Sequence, residues 1–404
     1  MIKNILQLFF SNFIFGLSQL LIIICLNKFG DFSDVGTYSL GLAIVAPITV
    51  FLNMGLNIHY NTNKEDANFK NYLLLRFYTN IIIVILSLLV GIFLGYEHYM
   101  LLIILLLASL KFIESLLDMS YAYFQKREEH QKIAFSKTLR ALFLIVWTLI
   151  ISIIHDANLI IIILGILIFN LILFSIYDYK FVLKKLSHLK AEPHKIRLIA
   201  YTAIPLAISS TFDSLNINAQ RILIEKLINV EELGIYSSIM TIMMSGQMFI
   251  AAIMTYFLPK LNVYVNTKEL NLFKRTMFQS VAISWLVGSV LVVFTAIFGS
   301  SLFSVIFRPE YKSYKDLAVL IMIAGLFWYV AGALNYCVLA LNLYYKQMFV
   351  VIGSFLSMIL SSPFLISAFS INGAAIALII SMVIRVLGFI AIIRAYIKGR
   401  FYEK

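Results

Sequence analysis

About twelve times along 404 residues the chain runs through a largely apolar stretch of about 18 residues or more, long enough to cross a bilayer as a helix. The expected spans are 8–26, 38–58, 73–95, 100–123, 137–155, 159–177, 198–219, 235–258, 277–298, 317–341, 347–369 and 372–394. The last two are separated only by SINGA, a very short break. Backbone amides in hydrocarbon must be satisfied internally, so such a chain folds as membrane-spanning helices. A β-barrel would instead show short segments of alternating polarity. Composition agrees: 61% hydrophobic and 13% charged residues, against about 45–50% and about 25% in soluble domains.

The formal charge is +12. In a soluble protein this would suggest nucleic acid, but here the cations sort by loop. With the N-terminus inside, the inner connections hold Lys64, Lys70, Arg76, Lys126, Arg127, Lys132, Lys137, Arg140, a run of basic residues over 180–197, Lys260, Lys268, Lys274, Arg275, Lys346 and the basic C-terminal tail. The outer ones hold only Lys28, Arg221, Lys226, Arg308, Lys312 and Lys315. Lys and Arg collect on the cytoplasmic side, so both termini are expected in the cytoplasm, the number of spans is even, and no nucleic-acid partner is implied. The N-terminal stretch has no A-x-A-like cleavage site and reads as a retained first helix. Cys25 and Cys337 lie in apolar runs and form no disulfide framework.

FSDVGTYSL at 32–40 and NVEELGIYS at 229–237 match at Gly36/Gly234, Tyr38/Tyr236 and Ser39/Ser237, always 198 positions apart. Each stands just before an apolar span. The reading is an internal duplication: six-helix lobes at 1–177 and 198–404 joined by a basic cytoplasmic linker at 178–197. An even number of spans per half relates the lobes by an axis along the membrane normal.

Ionisable residues inside the spans are the functional signal, because each costs about 2.5–3.5 kcal/mol on an insertion scale. SLKFIESLLD at 109–118 places Lys111, Glu114 and Asp118 in such a run. On an ideal helix these three, with Tyr121 and Gln125, fall within about 80°. In PLAISSTFDSLNINAQR, Ser209, Asp213, Asn216 and Gln220 share about 60° of another helix, and Pro205 is expected to loosen it. Arg385 lies mid-span, one turn beyond Ser381. Polar faces of this kind must meet protein or water. Two readings stand beside each other: structural pairs (Lys111 with Glu114, Asp213 with Arg385) and a substrate or ion path.

No P-loop, HExxH, CxxC or GxSxG occurs, which removes the familiar ATPase, zinc-protease and hydrolase signatures. The six histidines form no metal-ligand spacing. Neither a cofactor, a bound metal nor an enzymatic activity is expected. A membrane polymerase or acyltransferase would need a sizeable outer loop or a His/Asp motif.

The segment KFIESLLDMSYAYFQKREEHQKIAFSKTLRA at 111–141 resembles the fourth-span region of the bacterial polysaccharide biosynthesis exporters, the lipid-linked oligosaccharide flippases. NAQRILIEKLINVEELGIYS at 218–237 is similar to that family's seventh-to-eighth connection, and GTYSLGLAIVAPITVFLNMGL at 36–56 to its second span. The multidrug and toxin extrusion transporters share the superfamily, but Phe15 and Leu20 stand where their acidic first-helix site would be. The resemblance implies an all-α membrane fold of two pseudo-symmetric six-helix lobes in a V. It implies a flippase moving undecaprenyl-diphosphate-linked oligosaccharide repeat units from the inner to the outer leaflet of the bacterial inner membrane, for O-antigen or capsule, with possible contact to polymerase machinery. On that reading Lys111, Arg385 and Arg221 meet diphosphate or sugar, and Ser209, Asn216, Asn218 and Gln220 meet sugar. Glu114, Asp118 and Asp213 are then candidates for a coupling cation or proton. The runner-up is an ion-coupled multidrug efflux antiporter of the same fold.

Overall fold

The computed structural model describes residues 2–62, 68–182 and 192–401. Among them there is no strand. The helices, in chain order, are α1 (Ile2–Phe29), α2 (Phe32–Asn53), α3 (Leu56–Thr62), α4 (Phe69–Phe93), α5 (His98–Lys126), α6 (His130–Ile154), α7 (Leu159–Leu173), α8 (Tyr179–Val182), α9 (Pro193–Leu227), α10 (Val230–Asn266), α11 (Leu270–Ile306), α12 (Lys315–Ala340), α13 (Tyr344–Phe369) and α14 (Ile371–Phe401). A π-helical turn at Phe174–Asp178 follows α7, and a 3-10 turn at Pro309–Tyr314 precedes α12. Among the described residues eleven helical segments are long and apolar enough to span a membrane, and twelve if the two bent segments of α9 are taken as one span. α9 is bent by 50° between Pro193–Ile204 and Ala207–Leu227. The expected all-helical, twelve-span class therefore holds, and all twelve expected spans fall on helices.

Tight turns join these helices. Glu128, Lys268 and Asn342 each take a positive φ between 57° and 59°, letting a helix end and its antiparallel neighbour begin within a few residues. The SINGA break is shorter still. Ser370 alone, at φ 52°, separates α13 from α14. Position 373 is glycine because a Cβ there would collide with the Leu365 carbonyl.

Packing divides the chain into two compact units, Met1–Ser214 and Leu215–Lys404, with the division inside α9. Of the expected 178–197 linker, residues 183–191 lie outside the described residues. In the first unit α1 packs on α6, α4 on α5, and α5 also on α7. The first segment of α9 is fixed to this unit. Ile199 and Ala203 join Tyr60, Phe69, Tyr72 and Tyr123 in one buried cluster, and His59 bridges the Tyr72 hydroxyl (2.9 Å) and the Thr202 hydroxyl (3.2 Å).

In the second unit α12 packs against α10, α11 and α14, and α13 against α14. α10 and α11 have 37 residues each, about 55 Å of helix, and the Thr267–Glu269 turn joins them. Near that turn Tyr264, Val265, Leu270 and Phe273 enclose a small apolar cavity with Leu341, Tyr396 and Ile397.

The matched segments each open a helix, by different means. At the start of α2 the backbone N–H of Asp31 donates to Asp34 Oδ2 at 2.9 Å, as in a capping box. At the start of α10 the cap is Asn229, whose Oδ1 accepts from Glu232 N–H at 2.7 Å. These two caps are also 198 residues apart. Tyr38 and Tyr236, about two helical turns further on, are both buried.

Candidate functional site: intramembrane polar networks

The first unit gathers the α5 charges into a network. Lys111 Nζ lies 2.8 Å from Glu114 Oε2, and Arg140 Nη2, from α6, lies 3.1 Å from Glu114 Oε1. One carboxylate thus serves two cations. Arg140 Nε also donates to Asn170 Oδ1 of α7 at 2.8 Å, and its Nη1 reaches the Tyr121 hydroxyl at 3.4 Å. The chain continues from Tyr121 OH to Ser136 Oγ (2.9 Å) and from Ser136 to Asp178 Oδ2 (3.2 Å) on the π-helical turn. From α1, Asn12 accepts from Lys137 Nζ at 2.8 Å, and the Phe15 ring lies 4.9 Å from the Arg140 guanidinium carbon. Four membrane helices, α1, α5, α6 and α7, are tied through side chains that lipid cannot satisfy.

Burial grades this network. The Arg140 side chain is 4% exposed, Glu114 16% and Lys111 28%. Asp118, one turn beyond Glu114 on the same face, is exposed, and Arg140, Lys137, Glu114 and Arg76 all act on it electrostatically. Arg140 is therefore the inner anchor, whereas Lys111 and Asp118 keep access to whatever the face meets. Gln125, at the end of the stripe, accepts from Asn61 Nδ2 at 3.2 Å. Separately, Arg76 of α4 is 1% exposed, and its Nε and Nη1 have no hydrogen-bond partner among the described residues.

The α9 stripe divides. Asn216 and Gln220 are fully buried in the second unit. Asn216 Nδ2 donates to Ser354 Oγ at 3.0 Å, and Asn216 Oδ1 accepts from Ser381 Oγ at 3.1 Å. Gln220 donates to the Ala374 carbonyl and accepts from the Tyr236 hydroxyl at 2.9 Å. Their amides join α9 to α10, α13 and α14. Ser209 and Asp213, toward the start of that stripe, are half-buried in the first unit. Arg221 and Asn218 form a buried pair at 3.4 Å, with Met244 Sδ 4.0 Å from Arg221 Nη2. Arg385 is buried on α14, its guanidinium carbon 5.8 Å from the centre of the Phe389 ring.

The structure thus brings Lys111, Glu114 and Asp118 to one place, and Asn216 with Ser381 to another. Sequence reasoning counts Arg76, Lys137 and Arg140 as loop cations, whereas all three lie within helices and Arg76 and Arg140 are buried; it passes over Ser136, Asn170 and Asp178. One signal was available. Asn170 is the lone polar side chain in LIIIILGILIFNLIL, a place where an amide needs a partner on a neighbouring helix.

Comparison with known proteins fits this picture. The model of a family described as polysaccharide biosynthesis protein matches residues 1–262. The capsular polysaccharide biosynthesis protein CapF of Staphylococcus aureus is 28% identical over 397 residues, covering 96% of this chain and 98% of its own. Among solved structures, an inward-facing multidrug resistance MATE family transporter of the MOP superfamily superposes with a TM-score of 0.79 at 12% identity, covering 96% of each chain. The lipid II flippase MurJ, in an inward closed conformation, gives 0.73 at 12% identity, over 98% of this chain and 88% of its own. At such identities the solved structures establish the fold alone. Since the family match takes in the whole α1–α7 network and runs on into α10, the chain belongs to the polysaccharide biosynthesis protein family.

Proposed function

We propose that this membrane protein is a flippase that carries undecaprenyl-diphosphate-linked oligosaccharide repeat units from the cytoplasmic to the outer leaflet of the bacterial cytoplasmic membrane, by alternating access. Both termini are then cytoplasmic, and the cargo feeds a surface polysaccharide. The capsular relative favours capsule over O-antigen as the product. The observation that carries the reading is the Lys111–Glu114–Arg140 network, held within spanning helices with Lys111 on its accessible side. A diphosphate crossing hydrocarbon needs cationic partners with several donors. Lys111 is assigned to that contact, with Arg385 and Arg221 as further cations. Ser209 and Asn218 are assigned to sugar hydroxyls, while Asn216 and Gln220, whose amides are already bonded, are assigned to the frame. Glu114 is shared between two cations, so the exposed Asp118 is the better candidate for a coupling ion, with Asp213 as the other. No covalent step is required.

The test is a deletion strain of the source bacterium, assayed for lipid-linked repeat units on the cytoplasmic face and complemented with wild type or Lys111→Ala. Accumulation relieved by wild type alone supports flipping with Lys111 in the path. Accumulation relieved by both keeps the function and removes Lys111 from it. No accumulation refutes the flippase, and drug hypersensitivity with normal surface glycan would replace it with efflux.

A further inference from the structure

We infer that the second unit carries a sugar-ring platform made of Trp328 and Asn335 on α12 and Gln247 on α10. The inference rests on the flippase reading and names the residues that recognise the glycan rather than the diphosphate.

Its first support is a pair of amide oxygens that lack partners. Gln247 stands near the middle of α10 and Asn335 lies on α12, both half-buried. The side-chain oxygens of both are shielded and have no hydrogen-bond partner among the described residues. An unmet amide is costly inside a membrane. By contrast, the neighbouring Tyr329 hydroxyl is satisfied, donating to the Met243 carbonyl at 2.6 Å.

Helix geometry places these groups together. Gly325, Tyr329 and Gly332 of α12 meet α10: a Cβ on Gly325 would press on Met243, and one on Gly332 would lie 2.7 Å from Gln247 Nε2. The Gln247 amide thus lies across α12 at Gly332, where any side chain would displace it. At 100° per residue, Trp328 and Asn335 sit about 20° apart on one flank of that seam, on the side toward which Gly332 is offset. Trp328 is half-buried.

The chemistry of this set is specific. A pyranose ring has an apolar C–H face that packs on an indole, and equatorial hydroxyl or acetamido groups that pair with planar amides. An apolar wall with a few convergent polar groups is also the general form of a ligand site. The platform carries no charge, so it selects for the sugar and adds nothing to the hold on phosphate. It separates recognition into two parts: cations for what every cargo shares, and this seam for what distinguishes one repeat unit from another.

The experiment uses the full chain in nanodiscs and two probes: undecaprenyl diphosphate alone, and the glycan-bearing lipid extracted from the deletion strain. Wild type is expected to bind the glycan-bearing lipid more tightly. Trp328→Leu and Asn335→Leu should each weaken that binding about tenfold while leaving affinity for bare undecaprenyl diphosphate unchanged. Trp328→Phe, which keeps a flat ring, should retain most of the preference. Folding is checked independently, since bare-lipid binding must survive. Leucine variants that keep the full preference for glycan overturn the platform and leave the flippase intact. Wild type that binds neither probe overturns both.

Discussion

Arg140→Ala separates the frame of the α5–α6–α7 network from its working surface. Two unit charges about 4 Å apart attract by about 4 kcal/mol at an effective dielectric of 20. Arg140 holds Glu114 at 3.1 Å with only 4% of its side chain exposed, and it also satisfies Asn170. Without Arg140, Glu114 keeps Lys111 as a partner while Asn170 loses its donor, so the cost should stay below the roughly 3–5 kcal/mol of a fully stranded buried charge. Lys111 touches the same carboxylate at 2.8 Å, but it is 28% exposed and only three residues away on the same helix, a kind of pair worth under about 1 kcal/mol. Stability should therefore fall clearly for Arg140→Ala and hardly at all for Lys111→Ala, while transport is lost in both. The assay is a heating series on detergent-solubilised protein, read as the surviving monodisperse fraction, beside the lipid-linked repeat-unit assay. Removing Glu114 as well should be sub-additive, with the Glu114→Ala/Arg140→Ala double variant about 1–3 kcal/mol better than the sum of its single variants. Equal destabilisation by Lys111→Ala and Arg140→Ala, or full additivity in the double variant, would refute the division into anchor and contact.

Two further expectations follow from burial. Arg76→Met should leave heat resistance unchanged or higher, because a buried guanidinium with unmatched Nε and Nη1 gains less than an apolar side chain of similar length; a clear loss of heat resistance would contradict that account. Asn216→Leu removes its two hydrogen bonds but leaves Ser354 donating to the Val351 carbonyl and Ser381 to the Ser354 carbonyl, so it should cost about 1 kcal/mol and reduce folded yield rather than substrate affinity; normal yield with weakened binding would return Asn216 to the substrate path.

The spans were legible because hydropathy is summed over some twenty residues, so no single side chain decides them. Even the break at Ser370 is marked by SINGA, whose glycine is required by the Leu365 carbonyl. The shared face of Lys111, Glu114 and Asp118 was legible too, since it follows from the helical period. What that face touches was not. Lys137 and Arg140 stand within eleven residues of the start of α6, where cations serve equally as topology signals, and only the position of Asn170 on α7 makes Arg140 an anchor. The α9 stripe shows the same limit. Periodicity put Ser209, Asp213, Asn216 and Gln220 on one side, but a polar stripe reads alike whether it faces a cavity or neighbouring helices. For Asn216 and Gln220 it faces neighbours.

The α10–α11 pair has a practical consequence for imaging. A membrane protein whose described turns are this short offers little outside the detergent belt for particle alignment. Each helix of this pair is about 25 Å longer than the hydrocarbon is deep, and the pair is braced near its tip by Leu341, Tyr396 and Ile397. It is thus a built-in helical stem, with Pro259 inside α10. Replacing Thr267–Glu269 with a two-helix fusion partner, in phase with both helices, would carry a fiducial without a flexible joint.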